Sequence, residues 1–174
     1  MPDPPFGRDE TARLLRDSFE IVAAAARSIP SAWTHANPDW YPPDAWSVAI
    51  NIAHMAVYEA QMANPVLAAM ASGGDGVGAT KSDAESWFLA DAIALAPEPL
   101  DALLTRLSAA RQDAIAIVAS FDDVRWNAPI TPLWNSGRHG SGRHSPAWVA
   151  MKTFQHTWEH GNAVLRMALF APRP

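Results

Sequence analysis

Residues 145–170 read Ser145-Pro146-Ala147-Trp148-Val149-Ala150-Met151-Lys152-Thr153-Phe154-Gln155-His156-Thr157-Trp158-Glu159-His160-Gly161-Asn162-Ala163-Val164-Leu165-Arg166-Met167-Ala168-Leu169-Phe170. A serine followed by proline is a helix start: Ser caps the free backbone N–H groups, and Pro suits the first helical position. Pro172 closes the run. Val149, Thr153, Val164 and Met167 fall near one stripe, and His156 and His160 lie on it, four residues apart. That spacing puts both imidazoles on one face, one turn apart, where they can grip a single ion. It also turns them into the protein rather than out to water.

Outward from this helix, the rest of the chain predicts three more. Leu15, Phe19, Val22, Ala26 and Ile29 recur at helical spacing, so a helix runs over about 9–29 and stops at Pro30. Ser47 is an N-cap for a helix over 47–71, on which Ile50, His54, Val57, Tyr58 and Gln61 share one face; Pro65 kinks it or ends it early. Leu100, Leu103, Leu104, Leu107, Ala114, Ile115 and Val118 stripe a helix over 98–121. Ser82 and Glu85 fit a capping box for a short helix near 83–95.

Between these lie connectors. Residues 30–46 form a crossover loop, with Pro38, Pro42 and Pro43 forbidding regular structure. Its Trp33, Trp40, Tyr41 and Trp46 are read as pins against the bundle rather than ligand contacts. Gly73, Gly74, Gly76 and Gly78 make a second connector without the GxxxxGK[ST] of a phosphate loop. Residues 122–144 are irregular. Their segment Arg138-His139-Gly140-Ser141-Gly142-Arg143-His144 is read as a connector, the alternative being an arginine clasp for an anion. No alternating strand pattern occurs. The expected fold is all-α: one domain of 174 residues, a four-helix bundle with a long crossover loop.

Composition narrows the function. The formal charge is −5, from 13 Lys plus Arg against 18 Asp plus Glu, and no basic run stands out, so nucleic acid is not an expected partner. No apolar stretch reaches the length of a membrane span and no signal peptide pattern opens the chain, so a cytoplasmic protein without a membrane is expected. The count of cysteines is 0. Zinc–thiolate sites and a protein thiol nucleophile are excluded, and any sulfur chemistry needs a thiol brought by another molecule.

The pair at positions 156 and 160 is weak by itself: with 6 His in 174 residues, chance yields about 0.2 such pairs. Hydrogen-bonded core histidines are the plain alternative. His54, also on an apolar face, shifts the balance. Unsatisfied buried polar groups cost about 1–3 kcal/mol apiece, and one shared metal satisfies three imidazoles at once. The order of Glu159 and His160 is not that of the HExxH proteases, so Glu159 belongs at the surface or behind the ligands. Glu59 stands about 140° round the helix from His54. It either orients a ligand or is merely solvated, the second reading being preferred. Tyr58 lies closer and either donates a hydrogen bond or packs.

Three stretches then carry a resemblance. They are Trp46-Ser47-Val48 leading to Ile52-Ala53-His54 and Glu59; Ser145-Pro146-Ala147-Trp148; and Phe154-Gln155-His156-Thr157-Trp158-Glu159-His160-Gly161-Asn162 followed by Leu165-Arg166. In this order the chain resembles the DinB/YfiT-like superfamily of metal-binding four-helix bundles, with Asn162 where members commonly carry Gln. The resemblance implies a divalent ion, zinc or nickel first, on His54, His156 and His160. It also implies kinship with thiol-dependent transferases and mycothiol-dependent maleylpyruvate isomerases, a low-molecular-weight thiol as cosubstrate, a small-molecule substrate, and a homodimer. Trp87, Phe88, Trp126 and Trp134 offer the dimer surface. Two other readings stay open: a metal-dependent hydrolase that activates water, and a stress-associated metal-binding protein without catalysis.

Overall fold

The computed structural model of the chain describes residues 6–73, 81–128 and 144–171, the side chains of 81–87 excepted. Helix α1 spans Arg8–Ser28, α2 Val48–Tyr58, α3 Asn64–Ala71, α4 Lys81–Leu95, α5 Leu100–Ser120, α6 Asp123–Asn127 and α7 Pro146–Phe170. A single π-helical turn, Glu59–Ala63, joins α2 to α3. No strand occurs among the described residues. α1 and α2 each pack against both α5 and α7, which makes these four segments the bundle, and α4 lies on α2.

The caps form as the sequence requires. Ser47 Oγ accepts from the Ile50 N–H at 3.3 Å, and Ser145 Oγ accepts from the Trp148 N–H at 3.2 Å with Pro146 in the first turn. The predicted stripes are the core: Leu15, Val22, Ala26, Leu103, Leu107, Val118, Val149, Val164 and Met167 are all buried. The crossover loop is held by Asn37, whose amide donates to the carbonyls of Pro42 at 3.1 Å and Ala45 at 2.7 Å. Trp40 stands edge-on to Trp33 and Tyr41 and tilts against Phe170 on α7, so these rings do pin the loop. Trp46 packs on histidine rings instead.

Four expectations need correction. The second helix is continuous past Pro65 but not regular. Proline has no N–H to offer the preceding turn, and the chain accommodates this with the π turn at 59–63. The wider turn resets the helical phase, so Gln61 leaves the face of His54 and donates to Asp91 at the surface, 3.0 Å away. α4 begins before its expected start, which puts Ser82 inside the helix; the side chains of the supposed capping box lie outside the described ones. The region after 121 is not wholly irregular: Asp122 caps α6 by accepting from the Arg125 N–H at 2.7 Å. Finally, Phe88 and Trp126 are buried within the chain and unavailable as a dimer surface. Trp126 is 2% exposed, stands edge-on to Phe121, and donates its indole N–H to the Phe6 carbonyl at 3.3 Å. The side chain of Trp87, all of Trp134, and the segment 138–143 lie outside what the structure describes.

One glycine sets the approach of α7 to α1. A Cβ on Gly161, next to His160, would lie 2.6 Å from Val22 Cγ2. Val22 is fully buried and its branched side chain has little rotameric freedom in a helix. Gly161→Ala is therefore expected to destabilise the protein by about 1–2 kcal/mol, because overpacking outweighs the gain in helix propensity. Urea denaturation checks this. Val22→Ala in the same chain should restore much of the loss, and a stability gain for Gly161→Ala alone would contradict the close packing.

Candidate metal centre

The helical spacing and the start of α2 decide where the three histidines go. His54 lies midway along α2, and His156 and His160 lie one turn apart on α7, which packs on α2. Their ring centroids are 4.4–4.9 Å apart. One nitrogen from each lies within 4.8 Å of the others, and His54 Nε2 and His156 Nε2 are 3.1 Å apart. All three predicted site residues are brought together. Of the other histidines, His35 is exposed in the crossover loop and His144 stacks on Trp148 with centroids 3.7 Å apart; neither joins the group.

Each ring is held by neighbours that only the fold supplies. Trp46, just before the N-cap of α2, stacks on His160 (5.4 Å, 13°) and stands edge-on to His54 (5.0 Å). Tyr58 stacks on His156 at 3.9 Å. It therefore packs, and burial pushes its hydroxyl well above the ordinary range for a phenol, with Glu59 and Glu159 adding to the effect. Asn51 Nδ2 donates to the carbonyls of Trp46 at 3.1 Å and Ser47 at 2.9 Å, which leaves Asn51 Oδ1 facing His160 Nδ1 at 3.2 Å. An amide oxygen only accepts, so His160 Nδ1 carries the proton and its Nε2 keeps a lone pair.

The donor set fits a divalent ion. Burial, with a smaller contribution from His160, holds His54 down at about 4, and burial alone brings His160 to about 4. His156 is lowered well below the usual value, first by burial and then by its neighbours His160, His54 and Arg111. All three rings are therefore neutral at pH 7, the form that binds metal. Tetrahedral zinc with bonds of about 2.0–2.1 Å sets its ligands about 3.3–3.4 Å apart, close to the tightest pair here. Without a proton or a cation between them, two nitrogen lone pairs at 3.1 Å would repel. His54 Nδ1 and His156 Nδ1 are buried with no hydrogen-bond partner among the described residues, so the rings satisfy little of their own polarity. An open cleft of about 320 Å³, lined by Tyr41, Asp44, Ala45, Trp46, Asn51, His160 and Ala163, reaches His160.

Glu59 is not solvated. It is fully buried and paired with Arg111, at 2.8 Å from Nε and 2.5 Å from Nη2. Glu159, by contrast, is exposed and accepts from Gln155 Nε2 at 2.7 Å, so the surface position is the one it takes. Arg111 and Asn51 are the residues the sequence reading missed. A signal existed for Arg111: it falls between Leu107 and Ala114 on the apolar stripe of α5, where a charge belongs only if paired.

Together these features define a helical-bundle protein with a half-buried trihistidine group that can hold a metal ion beside an open cleft. The sequence pattern of the DinB superfamily matches residues 10–164, and the chain belongs to that superfamily. No curated protein matches it. Among solved structures it is similar to an uncharacterised protein from Clostridium difficile 630, with a TM-score of 0.74 and 12% identity over 95% of this chain and 98% of that one. A structural-genomics target from Streptococcus pneumoniae is similar too, with a TM-score of 0.69 and 14% identity over 95% and 92% of the two chains. At these identities the likeness establishes the fold.

The depressed histidines make the metal-free protein acid-sensitive. Unfolding returns each ring to a pKa near 6.5, so the unfolded chain binds more protons between that value and about 4. The contribution of His54 and His160 to stability is therefore full above pH 6.5, falls as the pH drops to about 4, and levels off below it. Urea midpoints of chelator-treated protein across this range should show the decline, and His54→Ala should flatten it. An unchanged slope in that variant would contradict the assignment.

Proposed function

We propose that His54, His156 and His160 hold one divalent ion, zinc or nickel, in a metal-dependent enzyme that joins a small-molecule thiol to an electrophilic substrate. The observation that carries this reading is the convergence of three neutral imidazoles, one of which, His160, lines an open cleft. Three protein ligands leave a position free for a reactant. A divalent ion there would act as a Lewis acid that makes a thiol acidic enough to ionise near neutral pH.

The chain's own residues prepare the site for this. Asn51 accepts the Nδ1 proton of His160 and so fixes the tautomer that presents Nε2. Trp46 packs on His54 and His160, and Tyr58 on His156, so each ring has an aromatic neighbour that holds it. Tyr41, Trp46 and Asn51 line the route by which a small molecule reaches His160. No cysteine is available in the chain, so the sulfur must arrive as a free thiol. Membership of the DinB superfamily supports the metal, and the resemblance to thiol-dependent transferases supports the reaction.

Protein purified without an affinity tag should carry about one equivalent of divalent metal. His54→Ala, His156→Ala and His160→Ala should each lose it, whereas His144→Ala should retain it. The parent should consume an electrophile such as monochlorobimane only in the presence of a low-molecular-weight thiol, and chelation should stop it. Ester turnover without thiol would replace this reading with a hydrolase. Metal binding with no turnover on either panel would leave a binding protein.

A further inference from the structure

Behind the histidines, Arg111 of α5 sits in the bundle interior at 1% exposure, and its guanidinium uses all five of its N–H donors on protein partners. Nε donates to Glu59 Oε2 at 2.8 Å. Nη2 donates to Glu59 Oε1 at 2.5 Å and to Thr157 Oγ1 at 2.7 Å. Nη1 donates to Ser18 Oγ at 2.9 Å and to the Leu15 carbonyl. Glu59 opens the π turn directly after Tyr58, whose ring lies on His156, and it continues the helix that carries His54. Thr157 directly follows His156 on the helix that carries His156 and His160. One planar fork thus bonds to both histidine-bearing segments at once. The bundle's stability alone does not call for such an arrangement, since an apolar core of the same volume serves packing as well or better.

We infer that Arg111 is the positioning residue of the trihistidine centre: through Glu59 on one side and Thr157 on the other, it sets the spacing of His54 against His156 and His160. The inference rests on the metal reading above. Glu59 stands at the first position of the π turn, and such turns are frequent at functional sites. Lysine cannot replace the fork, because it offers one compact charge in place of paired donors in a plane. The Ser18 and Leu15 bonds tie the same guanidinium to α1, which carries no histidine, and these supply an internal control.

The test is Co(II) titration of the full chain, following the visible absorption bands, with circular dichroism to confirm equal folding. Thr157→Val removes the guanidinium's bond to α7 together with the hydroxyl's own bond to the Thr153 carbonyl, and Ser18→Ala removes its side-chain bond to α1 together with the hydroxyl's own bond to the Leu15 carbonyl, so the two changes match. Thr157→Val is expected to weaken Co(II) binding about tenfold or more and to shift the visible bands, the scale seen when residues that orient metal ligands are lost. Thr157→Ser, which keeps the hydroxyl, should restore both. Ser18→Ala should leave affinity within about twofold, and the bands unchanged, although it removes a bond of the same kind from the same group. Equal effects from Thr157→Val and Ser18→Ala, or unchanged bands in Thr157→Val, would overturn the positioning role while leaving the metal site standing. If the parent takes up no Co(II), or His54→Ala binds it as tightly as the parent, the metal reading falls and this inference with it.

Discussion

The pairing of Arg111 with Glu59 is the interaction on which the interior depends. A guanidinium removed from water is tolerated only when its charge is met by a carboxylate and every N–H finds an acceptor. Here the acceptors come from α1, the π turn and α7, while the arginine itself is on α5. The four segments of the bundle are thereby bonded through one side chain, at a level where apolar packing alone would tolerate small sliding and rotation. Hydrophobic burial supplies the driving force for assembly, being non-directional and proportional to area. The buried ion pair adds direction, and it does so beside a histidine cluster assembled from two segments about a hundred residues apart in the chain.

Above that layer the site is built from aromatic faces. Tyr58 lies against His156 and Trp46 against His160, so the imidazoles are held by ring stacking as much as by hydrogen bonds. Flat apolar neighbours keep the rings neutral by denying them water, and neutrality is what a nitrogen ligand requires. Asn51 adds the one polar restraint, fixing which nitrogen of His160 carries its proton. The cleft opens on that same ring.

The close approach of α1 to α7 belongs to the same design. Gly161 lets Val22 press against the helix one residue from His160. A side chain at 161 would separate the two helices and move the histidine with them. Scaffold packing and site geometry are coupled here because α7 serves both: one face joins the core through Val149, Val164 and Met167, and the adjoining face carries the imidazoles.

Much of this was legible in the residues. Period-3.6 apolar stripes, Ser47 and Ser145 as caps, and proline stops determine the four long helices, because those signals act within a few residues of chain and owe nothing to the rest of the fold. The inward spacing of His156 and His160 is equally local. What only the tertiary structure decided are the features that need two distant segments at once. Glu59 reads as a solvated acid until Arg111, 52 positions away, is placed beside it. Gln61 reads as a neighbour of His54 until the π turn ahead of Pro65 shifts the phase. Trp46 reads as a loop anchor until His160 comes under its ring, and Trp126 as surface until Phe6 and Phe121 close over it. Periodicity tells which face of a helix turns inward. It is silent on which partner waits there, and for charged and aromatic side chains the partner decides the role.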